Sequence, residues 1–212
     1  MTTPRRALIV IDVQQEYFSG PLEIQYPPHT DSLPRIAHAI DAATVAGIPV
    51  VAVQHTSGEG APIFNPTQPG FQLHPDIERR RTGEWKTIVK QYSTVFAGTD
   101  LLPFLRERQI DTITLVGYMT NNCVLASAAE AETHGLTVEV LSDATGAINI
   151  ANEAGFADAK TVHTTLMALF HSNFAAVADT ATWSDAVAAR HPLPKSDLRA
   201  SAATGARRAG QA

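Results

Sequence analysis

The chain has 212 residues, enough for one domain with a full core and short for two. Nothing in its net charge of −5, from 16 basic and 21 acidic residues, favours nucleic acid, whose binding needs a basic surface, and no apolar run is long enough to span a bilayer. The single cysteine excludes an intrachain disulfide, and a charged fraction of only 17% fits a protein that hides surface in an oligomer.

Arg5-Arg6 leads straight into the apolar run Ala7–Ile11, which ends at Asp12. No small-residue cleavage site follows, so the run reads as a strand of a cytoplasmic protein rather than a signal peptide. Ser32–Ala46 carries Ile36, Ala37, Ile40 and Ala43 at helical spacing and stops at Gly47. Ile48–Val53 is a second buried strand. Residues 55–84 break the rhythm with four glycines and four prolines around Phe64 and Phe71. A loop this long is usually functional, and its aromatics suggest a packed wall or lid. Thr87–Val89 is a short apolar run ending at Lys90, and Asp100–Glu107 is a short helix. Thr112–Val116 is a strand before Gly117, and Asn122–His134 an alanine-rich helix. Leu136–Leu141 is a strand, Asn152–Phe170 a long amphipathic helix and Phe174–Val177 a last strand. Short β-branched runs alternating with helices imply an α/β domain with a parallel sheet between two helical layers. That domain is expected over residues 1–194. Residues 195–212 have little to bury and are expected to form a disordered tail.

In such sheets, ligands bind beyond the carboxyl ends of the strands. Asp12, Lys90 and Cys123 all fall there. Singly, each has a plain reading: a capping aspartate, a solvated lysine, a cysteine small enough to fit. Jointly they supply a nucleophile, a cation and a proton carrier. A helix start and a nearby cation both lower a thiol's pKa, so Cys123 is expected to ionise readily. No phosphate-binding loop, complete Gly-x-Gly-x-x-Gly, Gly-x-Ser-x-Gly elbow or His-Glu-x-x-His is present. His163 and His171, eight apart on one expected helix, read as core or surface histidines rather than a metal pair.

These residues resemble the isochorismatase-like cysteine hydrolases. The resemblance rests on Asp12-Val13-Gln14-Gln15-Glu16-Tyr17-Phe18, Lys90-Gln91-Tyr92-Ser93-Thr94-Val95-Phe96, Gly117-Tyr118-Met119-Thr120-Asn121-Asn122-Cys123-Val124 and Asp143-Ala144, in order over residues 7–180. It implies a single-domain α/β/α sandwich around a six-stranded parallel sheet, with a triad of Asp12, Lys90 and Cys123. It also implies a cis peptide between Tyr118 and Met119, so that the Met119 and Cys123 amides form an oxyanion hole. Gln14, Tyr17, Tyr118 and Asn122 are the expected substrate-binding side chains. The implied reaction is hydrolysis of a C–N bond in a small amide, ureide or carbamoyl compound through a thioester. A vinyl-ether hydrolase and a non-catalytic binding protein on the same fold are the alternatives. Nicotinamidases of the superfamily hold a metal through Asp-x-His after the second strand. Gln54 stands where that aspartate would be, so neither metal nor cofactor is expected. The expected partners are a small-molecule substrate and further copies of the chain in a dimer or tetramer.

Overall fold

The computed structural model describes residues 3–211; the first two residues of the expected domain and the last of the expected tail lie outside the described residues. In chain order it runs β1 (Arg6–Ile11), α1 (His29–Val45), β2 (Val50–His55), α2 (Pro75–Glu78), β3 (Lys86–Lys90), α3 (Leu101–Glu107), β4 (Thr112–Tyr118), α4 (Leu125–Thr133) and β5 (Thr137–Gly146). There follow β6 (Ile150–Asn152), β7 (Gly155–Ala157), α5 (Ala159–Leu169), β8 (Ala176–Ala178), α6 (Thr180–Ala188) and α7 (Leu198–Ala209).

Six strands form the expected parallel sheet in the order β3-β2-β1-β4-β5-β8. The order reverses between β1 and β4, which opens a crevice at their carboxyl ends. β1 is buried at every position, and its alternate residues serve two cores. Leu8 and Val10 pack in the core that holds Ile36 and Ile40 of α1 and Trp183 of α6. Ala7, Ile9 and Ile11 pack in the core that holds Leu101, Leu105, Ala128 and Phe170. Each fully buried Leu or Ile stabilises by about 1.5–3 kcal/mol, so this doubly covered strand is the structural spine.

At the amino ends of the strands, buried Arg6 meets buried Glu139 at 2.8 Å. Glu139 also accepts from Thr114 Oγ1 at 2.7 Å and Trp183 Nε1 at 3.0 Å, which satisfies the carboxylate. Asp143 of the Asp143-Ala144 motif accepts from the Thr180 amide and hydroxyl, tying β5 to the start of α6.

Two expected elements are corrected. The helix expected from Asn152 begins only after Asp158, whose side chain caps it through the Thr161 amide. Before it, β6 and β7 form an antiparallel hairpin, because the turn Asn152-Glu153-Ala154-Gly155 includes a glycine at φ 151°. The tail expected to be disordered forms α7 instead. Asp197 accepts from the Ala200 amide at its start, and Arg207 and Arg208 occupy its last turn. Alanine content and these end charges favour a helix even though none of its residues is buried.

Candidate active site

Asp12 follows β1 in a left-handed conformation, φ 49°, with its amide bonded to the Val53 carbonyl at 2.9 Å. Gly117 permits this close approach. A Cβ there would lie 2.0 Å from the Ile11 carbonyl oxygen, and its own φ is 105°. Lys90 ends β3, two strands away from β1. Two strand spacings are roughly 10 Å, a gap that only a long side chain closes. Its ammonium lies 2.7 Å from Asp12 Oδ2 and 3.3 Å from Cys123 Sγ. All three residues are buried, with exposures of 0%, 1% and 2% for Asp12, Lys90 and Cys123.

Cys123 does not start an α-helix. It lies in a π-helical turn, Thr120–Val124, that precedes α4. The Tyr118–Met119 peptide just before that turn is cis. Ser127 Oγ donates to the Cys123 carbonyl at 2.6 Å and accepts from the Val95 amide at 3.1 Å, fixing the carboxyl side of the turn.

The electrostatics overturn the expectation of a readily ionised thiol. Burial first and the Asp12 charge second push the Cys123 thiol up to about 12, and Lys90 only partly opposes them. Burial also raises the Asp12 carboxyl, against the pull of Lys90. Neither Asp12 oxygen has a well-aligned hydrogen bond, so both can accept a proton. The resting site therefore holds a neutral thiol beside Asp12 and Lys90.

His55, at the end of β2, belongs to the same cluster, and the sequence offered no sign of it beyond its place at a strand end. Its Nδ1 lies 3.3 Å from Lys90 Nζ, which also reaches the Tyr92 carbonyl at 3.2 Å. Burial and the lysine charge lower His55 to about 4, so near neutrality its Nδ1 accepts from the ammonium. With Nδ1 facing a cation and Gln54 Nε2 bonded to the Phe71 carbonyl at 2.9 Å, this stretch does not fit a metal. Among the described residues, no group of three or more His, Cys, Asp or Glu side chains is placed to hold one.

Two of the expected substrate-binding side chains have their polar atoms engaged within the protein. Gln14 is fully buried and spends its amide on backbone: Nε2 donates to the His55 and Phe71 carbonyls at 3.0 and 2.8 Å, and Oε1 accepts from the His55 amide at 2.7 Å. It straps β2 to the 55–84 loop. Tyr118 is also fully buried, its hydroxyl 2.9 Å from Ser32 Oγ on α1. Tyr17 is 1% exposed and packs tilted against Phe64 and edge-on against Tyr118, with centroids 5.3 and 5.7 Å apart. Asn122 remains exposed on the turn. Phe64 also meets the His55 ring at 5.1 Å, so the 55–84 loop forms a packed aromatic wall beside Lys90. A cavity of about 780 Å³ lies at the other end of the molecule, lined by Arg6, Asp41, Val45, Ile48 and Val187 among others, and contains none of these groups.

Residues 6–182 match the family model of the Isochorismatase domain. A solved structure from Burkholderia xenovorans LB400 superposes with a TM-score of 0.94 at 46% identity, over 98% of this chain and 100% of that one. An isochorismatase family protein of Bacillus subtilis is 27% identical over 83% of this chain and 92% of its own length. Maleamate amidohydrolase of Pseudomonas putida is 27% identical over 66% of this chain and 71% of its own. Among the described residues, no helix is long and apolar enough to cross a membrane.

Proposed function

The chain belongs to the isochorismatase family and is a hydrolase, and from that premise we propose that it cleaves the C–N bond of a small amide through a thioester on Cys123. The observation that carries this reading is the contact of one buried ammonium with both a carboxylate and a thiol, at 2.7 and 3.3 Å. Lys90 donates toward sulfur, so the thiol's own proton is free to pass to Asp12. As sulfur attacks the carbonyl carbon, Asp12 takes that proton, and the carbonyl oxygen gains charge. The Met119 and Cys123 amides are the proposed donors to that oxygen. When the tetrahedral intermediate collapses, the C–N bond breaks and Asp12 returns the proton to the departing nitrogen. Asp12 then takes a proton from water, which attacks the thioester. Collapse of this second intermediate releases the acid and restores the thiol.

The neutral resting thiol supports this order of events: proton transfer accompanies attack instead of preceding it. The amidohydrolase among the relatives supports the C–N bond as target. The reading covers residues 1–194 as the hydrolase domain, a small-molecule substrate and assembly into a homo-oligomer. Ammonia release across small primary amides, ureides and carbamoyl compounds tests it. Wild type should turn over a member of this panel and trap as an acyl adduct detectable by mass, and Cys123→Ala should do neither. Turnover of isochorismate by Cys123→Ala, with no amide cleaved by wild type, overturns the amide reading in favour of vinyl-ether hydrolysis.

A further inference from the structure

His163 is a buried titratable group with no part in the steps above. It lies on α5, 3% exposed, with its ring edge-on to Tyr26 at 5.7 Å. Its Nε2 is 3.0 Å from the Ser142 carbonyl on β5, and its Nδ1 is 3.0 Å from Thr120 Oγ1. A carbonyl can only accept, so Nε2 carries the proton. In a neutral imidazole Nδ1 then has none and must accept, which makes Thr120 the donor. Burial lowers His163 to about 4, so this polarity holds near neutral pH. The donations run one way, from Thr120 to His163 to Ser142.

Thr120 is fully buried and opens the π-helical turn that carries Cys123. The carboxyl side of that turn is pinned by Ser127. On its amino side, among the described residues, the bond to His163 is the side-chain hydrogen bond that anchors Thr120, Asn121 or Asn122. Rotating Thr120 away would leave a buried hydroxyl and a buried ring nitrogen without partners. We propose that His163 is a positioning residue for Cys123, acting through the Thr120 hydroxyl to fix the turn at the angle from which sulfur faces Asp12 and Lys90. This rests on the reading of Cys123 as nucleophile.

Two near-isosteres separate positioning from simple packing. Asn at 163 keeps an acceptor near the Nδ1 position and loses the donor to Ser142. Gln keeps a donor near the Nε2 position and loses the acceptor for Thr120. The first readout needs no substrate: the second-order rate of Cys123 alkylation by iodoacetamide. The second is kcat and KM for ammonia release from the amide panel. His163→Gln should lower kcat on the order of ten- to a hundredfold with little change in KM, and should change the alkylation rate. His163→Asn should stay within a few-fold of wild type in both. Thr120→Val should match His163→Gln, and the double variant should be no worse than either alone. Melting temperatures show whether any variant has lost its fold, and the Thr120→Val comparison stands even where a residue 163 variant has. Equal behaviour of the Gln and Asn variants, or independent multiplication of the Thr120 and His163 effects, overturns the inference. Full turnover by Cys123→Ala instead overturns the nucleophile reading, and the inference with it.

Discussion

Asp12 does two opposed things at one position. Its charge adds to the burial that keeps the neighbouring thiol protonated, and its carboxylate is the proposed destination of that same proton. Asp12→Asn should therefore separate reactivity from turnover. Without the negative charge the Cys123 pKa falls, so the midpoint of its alkylation profile should move to lower pH. Turnover should drop by roughly 10²–10⁴-fold, because the proton carrier is gone. An alkylation profile that stays put or moves to higher pH would contradict the electrostatics described. Gln14→Leu addresses the strap. It takes the side-chain partner from the His55 amide and carbonyl, while the Phe71 carbonyl keeps Gln54 Nε2, which should cost about 1–3 kcal/mol in urea denaturation and slow turnover by displacing His55. Stability equal to wild type would show that the strap is dispensable. Asp12, Lys90 and Cys123 were legible in the sequence because a strand end is a positional signal. The roles of Gln14 and Tyr118 were not. Which partner a buried amide or phenol meets depends on residues such as Phe71 and Ser32 that lie 57 and 86 positions away. The thiol's pKa was misjudged for a related reason, since a motif lists the nearby charges but not the burial that outweighs them.

At the scale of elements, the parallel strands were legible because runs buried on both faces leave an unbroken apolar signature. The β6–β7 hairpin was not, because Ala154 and Ala157 also fit the apolar stripe of the following helix, and Gly155 decides the matter by its φ. The contact between the β1 and β4 ends gives a sharp expectation. Gly117→Ala should cost at least about 3 kcal/mol, or prevent folding, because backbone strain adds to a clash with main chain that cannot move aside. Near-native stability would mean that the two strand ends can separate. For α7 the expected outcome is the reverse. Deleting residues 195–212 should leave melting temperature, the number of subunits by light scattering and turnover unchanged, since the helix buries none of its residues. A smaller assembly after truncation would show that α7 is part of an interface.

For the whole molecule, buried neutral histidines set the acid limit. Unfolded, His163 titrates near its ordinary 6.5; folded, at about 4. Between those values the unfolded chain binds the extra proton. Stability is therefore full above 6.5 and falls as pH drops towards 4, by about 3 kcal/mol for this residue. Half-buried His55 is lowered in the same direction and adds a smaller, solvent-screened share. Urea midpoints measured across that window should fall with pH in wild type and fall less steeply in His163→Gln. Parallel slopes would remove His163 as a cause.

β3 is the edge strand of the sheet, five residues long, with Val89 56% exposed, and Lys90 is its last residue. Edge strands with few buried side chains open locally at a smaller free energy than the core they border. Detachment of β3 would withdraw the ammonium from Asp12 and Cys123, and Ile88 from the second core, while β1 and β4 stay paired. Rising denaturant should extinguish catalysis before it melts the far-UV circular dichroism, leaving a range of concentrations in which the chain is folded and inert. Diluting it back from that range should restore activity at the rate of strand reattachment, faster than refolding from the fully denatured state.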